Sequence, residues 1–265
     1  MTAVLEARGL SVRRGRSEVL DRVSLAASAG RVTALIGPNG AGKSTLLAAL
    51  SGDLAPAEGE ARLHGRPLSA WTAAEMAQVR AVLPQQTRSA FGFTGLEAVL
   101  LGRSPWWDLE GEAAALDAAE AAMRKVGVLH FAGRSIERLS GGERQRVHLA
   151  RCLAQGLRPP ALPRQGPFVY LLDEPLESLD LAHQHAILRI LQDLAKEGQA
   201  VLVVLHDLSL AGLYADHLVL LDRGRVVADG TPRQVLTSGT IDRVYGIPVH
   251  ILEHPGSGRP LVVAR

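Results

Sequence analysis

Two hydrophobic periods divide the chain. Residues 3–12 (Ala-Val-Leu-Glu-Ala-Arg-Gly-Leu-Ser-Val) roughly alternate apolar and polar positions, which predicts an antiparallel edge strand. Leu20 to Leu25 and Ala61 to His64 suit its partners, with turns expected at Gly30 and Gly59. Val32 to Ile36 is instead an unbroken apolar run, as a buried parallel strand requires. Another short strand is expected at Ala81 to Pro84, before Gln85 and Gln86.

From 87 to 157 the pattern changes to Ala, Leu, Glu and Arg at helical spacing, clearest at 95–102 and 112–126. Four prolines between Arg158 and Pro167 then forbid helix or central strand. Strands at 168–172, 200–205, 217–221 and 225–228 alternate with helices at 181–197, 208–214 and 232–236. Alternation of this kind predicts an α/β fold with a parallel sheet flanked by helices. The expected division is an α/β core at 1–86 and 158–245, with an antiparallel β subdomain at its N-terminal end. A helical subdomain at 87–157 is inserted into that core, and a short strand and weakly ordered tail follow at 246–265.

The pattern leaves one stretch unexplained. Gly37-Pro38-Asn39-Gly40-Ala41-Gly42-Lys43-Ser44-Thr45 joins the apolar strand to a helix carrying Leu46, Leu47 and Leu50. It fits G-x-x-x-x-G-K-[ST], whose glycines let backbone N–H groups turn inward around anionic oxygens. The following helix start directs its positive end to the same oxygens. Lys43 is expected on the β- and γ-phosphates and the Ser44 hydroxyl on Mg²⁺. A nucleoside triphosphate site follows, and with it the P-loop NTPase fold.

Further acids and glycines complete the chemistry. Phe168 to Leu172 is an apolar strand ending in Asp173 and Glu174. Ligands of open α/β sheets lie beyond the carboxyl ends of strands, so Asp173 suits Mg²⁺ and Glu174 suits the proton of an attacking water. Leu139-Ser140-Gly141-Gly142-Glu143 opens another helix, with Ser140 and Glu143 spaced as a capping box. Two glycines in a first turn cost about 1 kcal/mol each against alanine. They admit a phosphate close to the exposed N–H groups.

Leu139–Glu143 resembles the signature motif of the ATP-binding cassette (ABC) ATPases, and the remaining family motifs stand in the family order. Gln85 is similar to the glutamine joining nucleotide site and helical subdomain, and it is placed with Ser44 and Asp173 on Mg²⁺. Ser178-Leu179-Asp180 resembles the loop after the acidic strand, and His206 the switch histidine that touches the γ-phosphate. The likeness implies ATPase chemistry, ATP and Mg²⁺ as cofactors, and a head-to-tail homodimer. In that dimer Ser140, Gly141 and Gly142 of one copy close on the nucleotide held by the other. Catalysis then falls to Glu174, His206, Gln85 and Lys43. Family members often carry an aromatic residue where this chain has Arg14; a guanidinium plane can also stack on a base.

Phe91-Gly92-Phe93-Thr94 and Val99 to Pro105 resemble importers of iron chelates, haem and cobalamin. Leu179 to His185 and the insertion at 158–167 resemble the haem (hemin) branch, with ferric-siderophore or cobalamin import as the alternative. His183 and His185, two apart at a helix start, share no face and are not read as haem ligands. The resemblance further implies two permease subunits, an indirect substrate-binding protein and a peripheral place on the cytoplasmic face of the inner membrane. Trp106 and Trp107 are expected exposed or half-exposed, as core residues or as a patch receiving a permease helix.

Composition agrees with these readings. The 265 residues are 47% hydrophobic and 21% charged, enough for one aliphatic-cored domain with a subdomain. A net charge of +2 gives no warrant for a nucleic-acid surface. The single Cys152 excludes an internal disulfide and suits a reducing compartment. The N-terminus lacks an apolar signal region, and no stretch reaches the ~18 apolar residues of a membrane span. A cassette acting on DNA or ribosomes would carry a coiled-coil insertion or a second cassette, and neither is present. An ordinary P-loop kinase leaves Leu139–Glu143 unexplained.

Overall fold

The computed structural model describes residues 3–15, 17–85, 92–162 and 166–265. Gln86, Phe91 and the middle of the proline-rich loop at 163–165 lie outside the described residues. The first elements are β1 (Ala3–Arg14), β2 (Ser17–Ser28), β3 (Arg31–Ile36), α1 (Lys43–Ser51), β4 (Glu58–Leu63) and β5 (Arg66–Pro67). Next come α2 (Ala73–Ala77), β6 (Arg80–Leu83), α3 (Gly95–Leu100), α4 (Glu112–Val126), α5 (Gly141–Gly156) and β7 (Val169–Leu172). Then follow α6 (Leu181–Lys196), β8 (Ala200–Val204), α7 (Leu208–Tyr214), β9 (His217–Asp222) and β10 (Arg225–Gly230). The chain closes with α8 (Pro232–Val235), α9 (Ser238–Tyr245), β11 (Val249–Glu253) and β12 (Pro260–Ala264). Two compact units emerge, Met1–Trp71 with Leu191–Arg265, and Thr72–Ile190.

In the first unit, β3 pairs in parallel with β8 on one side and β9 on the other, and β10 runs antiparallel to β9. Val32–Ile36, Ala200–Val204 and Leu218–Leu221 are all buried, as their unbroken apolar runs predict for strands covered on both faces. A separate antiparallel sheet has the order β2-β1-β4-β5. The expected edge strand is therefore internal: β1 pairs with β2 through Leu10↔Val23 and Val12↔Leu20, and with β4 through Ala7↔Ala61. Register shifts break its alternation at several points, which removes the period that separates central from edge strands. Gly59 lies inside β4 and not in a turn. It has φ +76°, and a Cβ there would strike the carbonyl oxygens of Arg8 and Gly9.

The C-terminal stretch expected to be a strand and a loose tail is a hairpin, β11 against β12. Its order comes from partners distant in sequence. Ser209 Oγ donates to Val262 O at 3.1 Å and accepts from Val262 N at 3.0 Å. Arg259 Nη1 donates to Leu213 O at 3.0 Å and Ala215 O at 2.7 Å, satisfying carbonyls at the end of α7. The helix α9 has no counterpart among the expected elements; Thr237 caps it by accepting from Thr240 N at 3.3 Å.

In the second unit, β6 and β7 pair in parallel, Leu83 opposite Leu172. Helices α3 and α4 pack on α5, which buries Val147, Ala150, Leu153 and Ala154. The expected helix at 95–102 ends as α at Leu100 and continues as a tighter 3-10 run through Trp106. The two tryptophans divide: Trp106 is fully buried, while Trp107 is 57% exposed. Among the described residues no helix is long and apolar enough to cross a membrane.

Candidate functional site

In the first unit the parallel register collects one group of candidate residues at one sheet edge. Strand β3 ends at Ile36 beside Leu220 of β9, and Leu35 lies opposite Val204 of β8. The loop Gly37–Gly42 therefore leaves the same edge at which His206, two residues past β8, stands exposed. The loop is shaped for an anion. Gly37, Gly40 and Gly42 have φ of +151°, +79° and +103°. A Cβ on Gly37 would strike Leu221 O, and one on Gly42 would lie 2.8 Å from Leu20 Cδ2, so both positions admit only glycine.

Helix α1 begins without a side-chain cap, which leaves its first N–H groups to a ligand. Lys43 Nζ donates to Gly37 O at 2.8 Å and Pro38 O at 3.0 Å, holding the ammonium over the loop. Ser44 is exposed at the helix start while Thr45 turns into the core. These features fit a triphosphate, with a basic side chain and uncapped N–H groups facing one cradle. Arg14, at the end of β1, is exposed, as a residue stacking on a base must be.

The second unit holds the other group. Because β6 and β7 run parallel in register, Gln85 and Glu174, each two residues past its strand, meet: Gln85 Nε2 donates to Glu174 Oε2 at 2.9 Å. Asp173, 5% exposed, donates its N–H to Leu83 O at 2.8 Å, which fixes the start of the acidic turn. Glu174 has φ +50° and Ser178 φ +61°, unusual for residues with side chains and a mark of local strain at these two positions.

Ser140 caps α5 as expected: its Oγ accepts from Glu143 N at 3.3 Å, and Glu143 Oε2 accepts from Ser140 N at 2.7 Å. The N–H and hydroxyl of Ser140 hold the Glu143 carboxyl below its usual range. Asp180 is lowered likewise, first by the N–H of His183, which it accepts at 2.9 Å, and then by the His183 ring at 2.7 Å. His183 is thus engaged in capping α6.

The signature glycines prove to differ in kind. A Cβ on Gly141 would find only ordinary contact, with Ser178 Cβ at 3.7 Å. A Cβ on Gly142 would lie 2.7 Å from Ser178 O and 3.0 Å from Leu179 Cδ2. Gly142 is glycine because the 178–180 loop of its own chain rests on it, a reason that motif spacing does not reveal. Equally hidden in sequence is Arg103, 1% exposed, which binds both carboxylate oxygens of Glu110 at 2.9 and 2.5 Å.

The ABC transporter family model matches residues 20–177, a span that includes the loop, the signature and the acidic turn. The chain belongs to the ABC transporter family. As an ABC ATPase it binds ATP and hydrolyses it to ADP and phosphate, coupled to transport. It is 52% identical over 98% of its length, and 88% of the relative's, to the hemin import ATP-binding protein HmuV of Nocardia farcinica. The HmuV of Pseudomonas entomophila is 46% identical, with coverage of 99% of this chain and 100% of that one. Among solved structures it is similar to a metal-chelate type ABC transporter in an inward-facing conformation. That match has TM-score 0.81 and 26% identity, and covers 100% of this chain and 98% of the other.

Proposed function

We propose that this chain is the ATPase subunit of a hemin importer, working as a head-to-tail homodimer beneath two permease subunits. The observation that carries the cargo is the run of hemin-import relatives at 43–52% identity over nearly the whole chain. Such a subunit sits peripherally on the cytoplasmic face of the cell membrane, and a substrate-binding protein reaches it only through the permease.

Within each nucleotide site, the loop N–H groups and Lys43 hold the phosphates, and Arg14 stacks on the base. Ser44, Gln85 and Asp173 supply the oxygen donors that suit Mg²⁺, a hard cation that neutralises phosphate charge when bound. Glu174 accepts the proton of the attacking water, and His206 orients that water against the γ-phosphate. Ser140, Gly141 and Gly142 of the second copy offer the N–H groups of an α-helix start to the same phosphates. Gln85 touches Glu174 and opens the segment leading to the helices, so it suits the passage of closure from permease to base. The exposed Trp107, with Leu100 and Leu116 around a cavity of about 360 Å³, suits a short permease helix.

The test is ATP turnover of the transporter in liposomes, with binding protein loaded in turn with hemin, a ferric siderophore or cobalamin. Hemin-loaded protein is expected to stimulate turnover. Stimulation by the siderophore or cobalamin complex, and not by hemin, would replace the cargo while leaving the ATPase assignment intact.

A further inference from the structure

The C-terminal end of the signature helix α5 is held in an unusual way. Helix ends leave carbonyls without intrahelical partners, and α5 has no basic residue in its last turn and no glycine cap. The run 101–106 supplies what is missing. Arg103 Nη1 donates to Ala154 O and Leu157 O, and Trp106 Nε1 donates to Gln155 O at 2.9 Å. The backbone is equally close, since a Cβ on Gly102 would strike Arg151 O. Gln155 in turn donates to Ala77 O and Arg80 O at 2.8 Å each, tying the same helix end to the start of β6.

The other two donors of the Arg103 fork are spent on Glu110, whose side chain is 3% exposed. A buried charge pair of this kind adds little net stability over apolar residues of the same volume; what it adds is a fixed geometry. Glu110 also lines the cavity beside Trp107, Leu100 and Leu116. Glu110 therefore lines the exposed apolar cavity and, through Arg103, is tied to the end of a 16-residue helix whose other end carries Ser140, about 24 Å away.

We infer that Arg103 and Glu110 are positioning residues that lock the cavity beside Trp107 to the signature helix. Displacement at the cavity then moves Ser140 as part of one rigid body. The inference rests on the assignment of that cavity to the permease. Neither residue touches nucleotide, so the pair governs coupling and leaves hydrolysis by the subunit alone unchanged.

Two variants test it in the full transporter in liposomes and in the subunit alone. Glu110→Gln keeps shape and removes the charge; the double variant Arg103→Met with Glu110→Leu replaces the pair by apolar residues of similar volume. Both are expected to keep the wild-type KM for ATP and turnover of the free subunit within about twofold. Stimulation of turnover by hemin-loaded binding protein is expected to fall at least fivefold in the double variant and less in Glu110→Gln. Wild-type stimulation in both variants would overturn the inference. So would loss of free-subunit turnover in proportion to stimulation, because that marks a merely structural pair. If binding protein loaded with hemin, siderophore or cobalamin in turn never stimulates the wild-type transporter, the permease reading fails and the latch with it, a result seen before any variant is made; if another cargo stimulates, the variants are read with that cargo.

Discussion

Replacing each signature glycine by alanine separates folding from function. In an ordinary helix position the change favours folding by about 1 kcal/mol, through the lost backbone freedom of glycine. At Gly141 nothing opposes that gain, because the new methyl would lie 3.7 Å from Ser178 Cβ. Gly142→Ala places its methyl 2.7 Å from Ser178 O, and overpacking of this degree costs about 1–3 kcal/mol. The net is a loss of about 0–2 kcal/mol. With about 2–4 °C per kcal/mol for a chain of this size, Gly141→Ala should raise Tm by about 2–4 °C. Gly142→Ala should leave it unchanged or lower it by up to about 8 °C. Both should lose most ATP turnover, Gly141→Ala despite its added stability, because the methyl occupies the approach of the phosphate to the helix start. Thermal unfolding and steady-state ATPase assays on the same preparations decide the matter. An equal rise in Tm for both would refute the packing argument, and wild-type turnover by a stabilised Gly141→Ala would refute the phosphate argument.

Other expectations follow from single groups. Glu174→Gln should bind ATP as the wild type does, lose about 10²–10⁴ in turnover and accumulate as a closed dimer, measured by nucleotide binding and gel filtration; undiminished hydrolysis would remove Glu174 from the role of base. Burial, with Arg151 and Arg144 nearby, pushes His148 down to about 4, so the unfolded chain binds the extra proton between about pH 4 and 6.5. Its contribution to stability is complete above pH 6.5 and is lost as pH falls toward 4, on the order of 3 kcal/mol in urea titrations. His148→Met should flatten that acid limb, and an unchanged limb would assign it to other groups. Burial likewise lifts the Cys152 thiol to about 11, and its Sγ donates to Val82 O at 3.3 Å. Neutral thiol reagents should label native protein at least tenfold more slowly than denatured protein, and equal rates would contradict that burial.

Much of this protein was readable before any coordinates. A phosphate loop is a local object: strand, glycines, lysine and helix are contiguous, so residues 32–50 carry their own shape. The capping box at Ser140 and the buried runs of β3, β7, β8 and β9 are local in the same sense, and each stands where spacing places it. Chain order could not say that β1 is paired on both sides, because its second partner, β4, lies between 47 (Ser11↔Glu58) and 58 (Leu5↔Leu63) residues away and bulges blur its period. The ordered C-terminal hairpin likewise depends on Ser209 and Arg259 meeting partners across about 50 residues. The adjacent Trp106 and Trp107 look alike in sequence, yet one is sealed against α5 and the other left in water.

The chemistry divides in the same way. Residue types and spacing are what assign Lys43, Ser44, Asp173 and Glu174 their proposed roles, because phosphate and proton chemistry need particular atoms on particular turns. Only tertiary structure decided how those turns are held: Gln85 on Glu174, Ser178 on Gly142, Arg103 between Glu110 and the end of α5. Motifs record the atoms that meet the ligand. Packing partners distant in the chain leave no spacing to read, and their effect appears only when the fold brings them within hydrogen-bond reach.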